Sequence, residues 1–419
     1  MSDSNGGVAL AGPETPPGDE SRNGHVYAWE RRLLKKVLAA LGNPPVSGIL
    51  WNGEEVRPTD RPAATRLRFH RRKALLKSLL DPELYFGDEY AAGRIDIEGD
   101  LVRFIEQAFN RPGAPQDPRS ALRRRHRNSL TRSRANIFHH YDVSNDFFKL
   151  WLDDQMVYTC AYFADPAMSL EAAQVAKMDH VCRKLRLRPG ERVVEAGCGW
   201  GSLARHMASR YGVKVDAFNI SHEQIAYARD RARREGLDRL VTYHEADYRD
   251  IRGTYDAFVS VGMLEHVGIE NYANLGSIID RCLTPKGRGL IHTIGLHRPM
   301  RFNRWLEARI FPGAEPPALS ELMTVLEPYD LTVLDVENLR NHYAQTLRHW
   351  LARFENAVEE IGAMFDERFV RLWRFYLAGS LAAYTSGWMQ LFQVLFNRRT
   401  NDDVPWNRAH LYQTNAGGT

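Results

Sequence analysis

Apolar residues in the middle of the chain fall in short runs, each closed by glycine or a polar residue and followed by a stretch of helical period. Val193 and Val194, preceded by Arg192, read as a buried parallel strand entering the turn Glu195-Ala196-Gly197-Cys198-Gly199-Trp200-Gly201. Ser202 to Tyr211 reads as a helix with Leu203, His206 and Met207 on one face. Val213 to Ile220 is a second strand, and Ser221-His222-Glu223-Gln224 opens a helix with a capping pair. Leu240 to His244, Tyr255 to Val261 and Gly289 to Ile294 supply a third, fourth and fifth strand. This alternation predicts an α/β fold with a doubly wound sheet. Such sheets bind ligands outside the carboxyl ends of their strands. Gly197, Asn219, Asp247, Glu265 and His292 all sit at or just after a predicted strand end.

The flanks read differently. Residues 1–25 are polar and rich in glycine and proline, with no basic-apolar leader, which predicts a disordered tail on a cytoplasmic protein. In 26–110, Trp29 to Ala40 and Leu67 to Leu80 look helical and Gly48 to Trp51 extended, giving a smaller, mainly helical N-terminal domain. Pro112, Pro115 and Pro118 mark 111–135 as a linker. The nucleotide-type core then occupies 136–419, with 296–375 inserted after the fifth strand as a lid that shapes the substrate pocket. Leu372 to Phe396 is the nearest approach to a membrane span. Arg374, Ser380, Thr385, Ser386 and Gln390 interrupt it, so it reads as a buried or amphipathic helix.

Composition narrows the class. A formal charge of only +4 argues against a nucleic-acid partner. The excess is local: eight arginines and one aspartate lie between Arg111 and Arg134, which suits a solvated linker or an anionic membrane surface. The four cysteines, at 160, 182, 198 and 282, form no Cys-x-x-Cys pair, so neither a metal site nor a disulfide framework is expected.

The glycine-rich turn lets a ligand approach the backbone closely. Gly-x-Gly-x-Gly suits S-adenosylmethionine, and a looser relative suits a dinucleotide. Against a nicotinamide enzyme, the glycine after Gly199 follows at two residues rather than three, and no acid ends the second strand. Asp247 and Tyr248 could hold an adenine by hydrogen bond and stacking.

The motifs together carry a resemblance. Tyr158-Thr159-Cys160-Ala161-Tyr162-Phe163, Glu171 to Lys177, Glu195 to Gly201, Gly262-Met263-Leu264-Glu265-His266-Val267-Gly268 and His292-Thr293-Ile294-Gly295 resemble the cyclopropane-fatty-acyl-phospholipid synthases and the related mycolic acid cyclopropane synthases. His140 to Phe148, Ile310-Phe311-Pro312-Gly313 and Tyr343-Ala344-Gln345-Thr346-Leu347 are similar too. Gly87 to Asp100 resembles the N-terminal domain of the longer, phospholipid-acting members.

The resemblance implies a class I methyltransferase (Rossmann-like) sheet and S-adenosylmethionine-dependent transfer of methyl to a cis double bond of an acyl chain. A carbocation follows, and a bound bicarbonate takes the proton as the ring closes. It implies Glu265, His292 and Tyr343 as contacts of that ion, with Cys160 and Ile294 contributing through their backbone amides. Cys160 is not read as a nucleophile. His266 is left between a role and simple packing.

For the cofactor, the resemblance assigns Gly197, Gly199 and Gly201 to the methionine and ribose part and has Tyr158 and Thr159 close over it. Asn219 and Gln224 would meet the ribose, and Asp247 with Tyr248 the adenine. Asn219 departs from the family's usual residue there. The partner implied is unsaturated phospholipid at the inner membrane surface, and the longer members suggest a homodimer. Three alternatives remain: a methylene or methyl-branched product on the same scaffold, a small-molecule O- or N-methyltransferase, and an inactive lipid-binding protein.

Overall fold

A computed structural model describes residues 24–40, 45–60, 62–110 and 144–412. The expected tail before residue 24, the arginine-rich linker and His140 to Val143 lie outside the described residues. Seven strands form the main sheet: β5 (Arg192–Ala196), β6 (Lys214–Asn219), β7 (Val241–Glu245), β8 (Tyr255–Val261), β9 (Leu283–Leu296), β10 (Leu331–Asn338) and β11 (Met389–Arg398). Their spatial order is β10-β11-β9-β8-β5-β6-β7. The five strands read from sequence are parallel, and β11 enters antiparallel between β9 and β10. The order reverses next to β5, the first strand of the sheet, which opens a crevice at its carboxyl end.

Two elements of the sheet depart from the sequence reading. The expected insertion contains β10, and the expected helix over Leu372 to Phe396 divides into the end of a helix, Glu367–Thr385, and strand β11. Gly387, with φ at +85°, makes the turn between them. Strand β11 is buried on both faces from Leu391 to Asn397, so its apolar run lacks the alternation that marks a half-exposed strand.

The N-terminal part carries more sheet than expected. Four helices, α1 (Ala28–Ala40), α2 (Arg72–Leu80), α3 (Pro82–Ala91) and α4 (Leu101–Phe109), accompany a four-stranded sheet. Its order is β2 (Glu55–Val56), β1 (Val46–Ile49), β3 (Thr65–Phe69) and β4 (Ile95–Glu98). The segment read as one helix from Leu67 is strand through Phe69 and helix from Arg72. This small core is not closed on its own: Ala378 and Ala382, from the helix Glu367–Thr385, complete it.

Candidate active site

The helices that follow the strands place the site. Helix α5 (Asn145–Lys149) and α6 (Leu170–Leu185) precede the sheet. Helices α7 (Ser202–Tyr211), α8 (His222–Arg234) and α9 (Tyr272–Cys282) follow β5, β6 and β8. The Ser221 hydroxyl caps α8 through the Gln224 amide at 3.4 Å, as its sequence suggests. Three further helices, α10 (Arg304–Arg309), α11 (Arg340–Asn356) and α12 (Glu367–Thr385), pack Trp305, Tyr343 and Trp373 into one core cluster with Cys160 and Trp200.

A cavity of about 140 Å³ opens at the carboxyl end of β5. Tyr158, Thr159, Gly197, Gly199, Asn219, Gln224, Asp247 and Tyr248 line it, together with Lys177, Glu195 and His266. Gly199 has φ at +52°, and a Cβ there would enter open space. The loop thus keeps room for a ligand on that side. Gly201 does not line the cavity. Its φ is +78°, its carbonyl accepts from the Tyr243 hydroxyl at 2.9 Å, and a Cβ would fall 2.4 Å from that hydroxyl oxygen. Glycine at 201 therefore serves the packing of α7 against β7 rather than ligand approach.

The polar groups of this cavity are held in place. Asn219 donates its side-chain amide to Gln224 Oε1 at 2.7 Å and to the Gly199 carbonyl at 3.3 Å. That pair fixes Gln224 against the glycine loop. The Asp247 carboxylate is engaged within its own turn, accepting from the Arg249 amide at 2.9 Å and the Arg249 guanidinium at 3.2 Å. Lys177 and Glu195, which the sequence reading did not single out, are both buried. Lys177 Nζ donates to Thr159 Oγ1 at 2.9 Å, and burial draws its pKa down to about 8. Burial pushes Glu195 up to about 8, with Lys177 opposing. Glu195 Oε2 has no hydrogen-bond partner among the described residues. A buried carboxylate oxygen without a donor, beside a glycine cradle, fits a ligand carrying an ammonium group, as S-adenosylmethionine does.

A second, smaller cavity of about 30 Å³ adjoins the first. Cys160, Glu265, His292, Ile294 and Tyr343 all line it, with Phe311, Tyr376 and Leu391 as apolar wall. Tyr158, Thr159, Gly262 and His266 line both cavities and form the partition.

His292 ends up with a defined proton position. Gln393 Nε2 can only donate, and it meets His292 Nδ1 at 3.0 Å. With the amide in this orientation Nδ1 accepts and the ring proton belongs on Nε2, which has no partner among the described residues. Burial first, and the positive charge of Lys177 next, hold the imidazole neutral, far below its usual pKa. Gln393 lies on β11 directly opposite His292 in the strand register. The sequence reading had this segment as helix and so could not pair the two.

Glu265 accepts from the Thr293 hydroxyl at 2.8 Å and from the Ile294 backbone amide. The Ile294 amide, expected to face the ion, lies close enough to Glu265 to favour its charged form, and Ile294 lines the small cavity. Burial outweighs these donors and raises the Glu265 carboxyl to about 7. His266 is pushed down to about 4 by burial and is neutral at physiological pH. Burial also raises the Cys160 thiol, whose sulfur donates to the Ala161 carbonyl at 3.1 Å. It stays protonated and is no nucleophile. No cluster of potential metal ligands occurs among the described residues.

Comparisons with known proteins give the family. Residues 128–394 match the family model described as mycolic acid cyclopropane synthetase. The chain belongs to this family. It is accordingly an S-adenosylmethionine-dependent methyltransferase of the cyclopropane-fatty-acyl-phospholipid synthase group, whose members act on lipid acyl chains. Residues 33–115 match a separate domain of unknown function.

A probable fatty acid methyltransferase of Pseudomonas putida is 36% identical over 384 residues, covering 87% of this chain and 95% of that protein. The Escherichia coli K12 cyclopropane-fatty-acyl-phospholipid synthase is 43% identical over 260 residues, 62% of this chain and 66% of that one. Among solved structures, the Mycobacterium tuberculosis cyclopropane synthase MmaA2 superposes with a TM-score of 0.61 at 29% identity, over 65% of this chain and all of its own. The mycolic acid cyclopropane synthase CmaA1, solved with SAH and CTAB, gives 0.60 at 29%, over 63% and 98%. The family's sheet is thus the main sheet described above. No helix among the described residues is long and apolar enough to cross a membrane.

Proposed function

We propose that this enzyme methylates a cis double bond in an acyl chain of an unsaturated phospholipid and closes a cyclopropane ring, with a bound bicarbonate as proton acceptor. The partition shared by the two cavities carries this reading. A methyl source on one side of Tyr158, Thr159, Gly262 and His266 and a base on the other must reach the same carbons.

S-adenosylmethionine supplies a methyl group already activated on a sulfonium. The alkene electron pair forms the new carbon–carbon bond while the carbon–sulfur pair leaves on sulfur. The other alkene carbon becomes cationic. A proton then departs from the transferred methyl, and the electrons of that C–H bond close the ring. Bicarbonate, when bound, supplies a small base that carries a proton of its own.

The chain's residues position and protect. His292 offers its Nε2 proton as a donor to an anion, and Gln393 holds that tautomer. Glu265, with a pKa near neutrality, can share one proton with a neighbouring oxyanion rather than repel it. Tyr343 and Cys160 line the same small cavity, where the hydroxyl of one and the backbone amide of the other would meet the ion. Phe311, Tyr376 and Leu391 exclude water that would quench a cation, and aromatic faces favour its charge. The substrate's place in a bilayer makes the enzyme peripheral to the inner membrane surface. The outward face of α1, with Trp29, Arg32, Lys35 and Lys36 exposed, suits an anionic surface.

A second reading has support of its own. The relatives matched over most of their length include the Pseudomonas putida fatty acid methyltransferase and a tuberculostearic acid methyltransferase of Mycobacterium tuberculosis, 32% identical over 87% of this chain and 90% of that one. The same cation losing a different proton gives a methylene branch without a ring. The test incubates the protein with methyl-labelled S-adenosylmethionine and vesicles of monounsaturated phospholipid, then analyses the acyl chains by mass spectrometry. The expected product is one methylene heavier and resists mild hydrogenation. A labelled product that takes up hydrogen establishes the branched reading, and no labelled lipid refutes both.

A further inference from the structure

We infer that the N-terminal domain, whose matching family model assigns it no function, latches the lid over the reacting cavity, with Asp88 as the positioning residue. Asp88 lies on α3, and its carboxylate takes three donors from lid helix α10. Arg309 supplies two, Nε to Oδ1 at 2.9 Å and Nη2 to Oδ2 at 2.7 Å. Trp305 Nε1 supplies the third at 3.1 Å. Forked guanidinium–carboxylate pairs fix orientation as well as distance.

The same helix α3 sets the depth of the lid. A Cβ on Gly87 would lie 2.5 Å from Trp305 Nε1 and 2.9 Å from Phe375 Cε1, so the indole packs directly on the α3 backbone. Trp305 is buried, and its ring meets Phe375 edge-on at 5.0 Å. The Arg304 amide, at the start of α10, donates to Glu83 at 2.8 Å, and its guanidinium pairs with Asp81.

From α10 the path to the site is short. The Phe311 amide closes on the Leu306 carbonyl at 2.8 Å, and Phe311 forms a wall of the small cavity. The Glu315 amide then donates to the Glu265 backbone carbonyl at 2.7 Å. The lid thus touches the segment that carries Glu265 on one side, while Asp81, Glu83 and Asp88 of the N-terminal domain grip α10 on the other.

The function given to the latch rests on the proposed reading of the small cavity; the latch itself does not. The experiment uses the full chain with Asp88→Ala, Arg309→Ala and the conservative Asp88→Glu. Hydrogen exchange is measured across residues 304–315, S-adenosylmethionine affinity by calorimetry, and turnover on monounsaturated phospholipid vesicles. For both alanine variants we expect exchange in the lid to rise about tenfold. Turnover should fall on the order of tenfold to a hundredfold, with unchanged cofactor affinity, and Asp88→Glu should recover part of both losses. Wild-type exchange in the lid overturns the latch. Faster exchange with undiminished turnover overturns its link to the chemistry, and cofactor affinity falling in step with turnover shows general unfolding instead. If the wild-type chain itself leaves vesicles unmodified, the functional proposal fails while the exchange measurement still judges the latch.

Discussion

Replacing Glu265 by Gln should make the protein more stable at alkaline pH while abolishing its chemistry. The carboxyl is buried and its pKa stands at about 7 in the fold, against 4.5 as its ordinary value. The folded protein therefore keeps a proton that the unfolded chain releases, and wild-type stability falls as pH rises from 4.5 through 7. The rise from 4.5 to about 7 corresponds to about 3 kcal/mol. Glutamine has no proton to lose. Between pH 5 and pH 8 the unfolding free energy of Glu265→Gln should gain about 2–3 kcal/mol relative to wild type. Equilibrium urea denaturation in carbonate-free buffer without S-adenosylmethionine measures this. Parallel pH curves for the two proteins would mean that the carboxylate is already ionised in the fold, and the shared-proton argument would collapse. Turnover should drop by on the order of a hundredfold or more, with cofactor affinity nearly intact, because the side chain lines only the smaller cavity. Equal loss of affinity and turnover would mark Glu265 as a support of the fold.

Two further substitutions separate the two cavities. His292→Ala removes the neutral Nε2 donor, so turnover should fall by about a hundredfold with S-adenosylmethionine affinity unchanged by calorimetry; any stabilisation of the wild type by added bicarbonate should vanish in the variant. Asn219→Ala releases Gln224 from its 2.7 Å bond, so cofactor affinity should weaken by about tenfold, while turnover at saturating cofactor stays near wild type. Unaltered affinity would leave Asn219 without a part in the cofactor site.

The five parallel strands were legible because each is a short apolar run ended by glycine or a polar residue, and the helices between them have clear period and caps. Ser202–Tyr211 and Tyr255–Val261 match their expected bounds to the residue. Local chemistry also announced the glycine loop and the strand-end residues, since a tight turn admits few alternatives to glycine. Strand β11 was hidden for the opposite reason. Buried on both faces, it shows no alternation, and it follows an apolar helix with only Gly387 between them. Gln393 went unnoticed with it, and so did its contact with His292 Nδ1.

What the sequence alone determined was the list of chemical groups and the strand ends on which most of them stand. Folding decided how they are used. Gly201 turned to packing against Tyr243, the Ile294 amide came to lie beside Glu265, and Lys177 and Glu195 were buried together near the glycine loop, each with its pKa drawn to about 8. These outcomes depend on register between strands far apart in the chain and on how deeply each group is withdrawn from water. Both are set by the whole packed structure, because a hydrogen-bond partner or a shifted pKa belongs to an environment rather than to a residue.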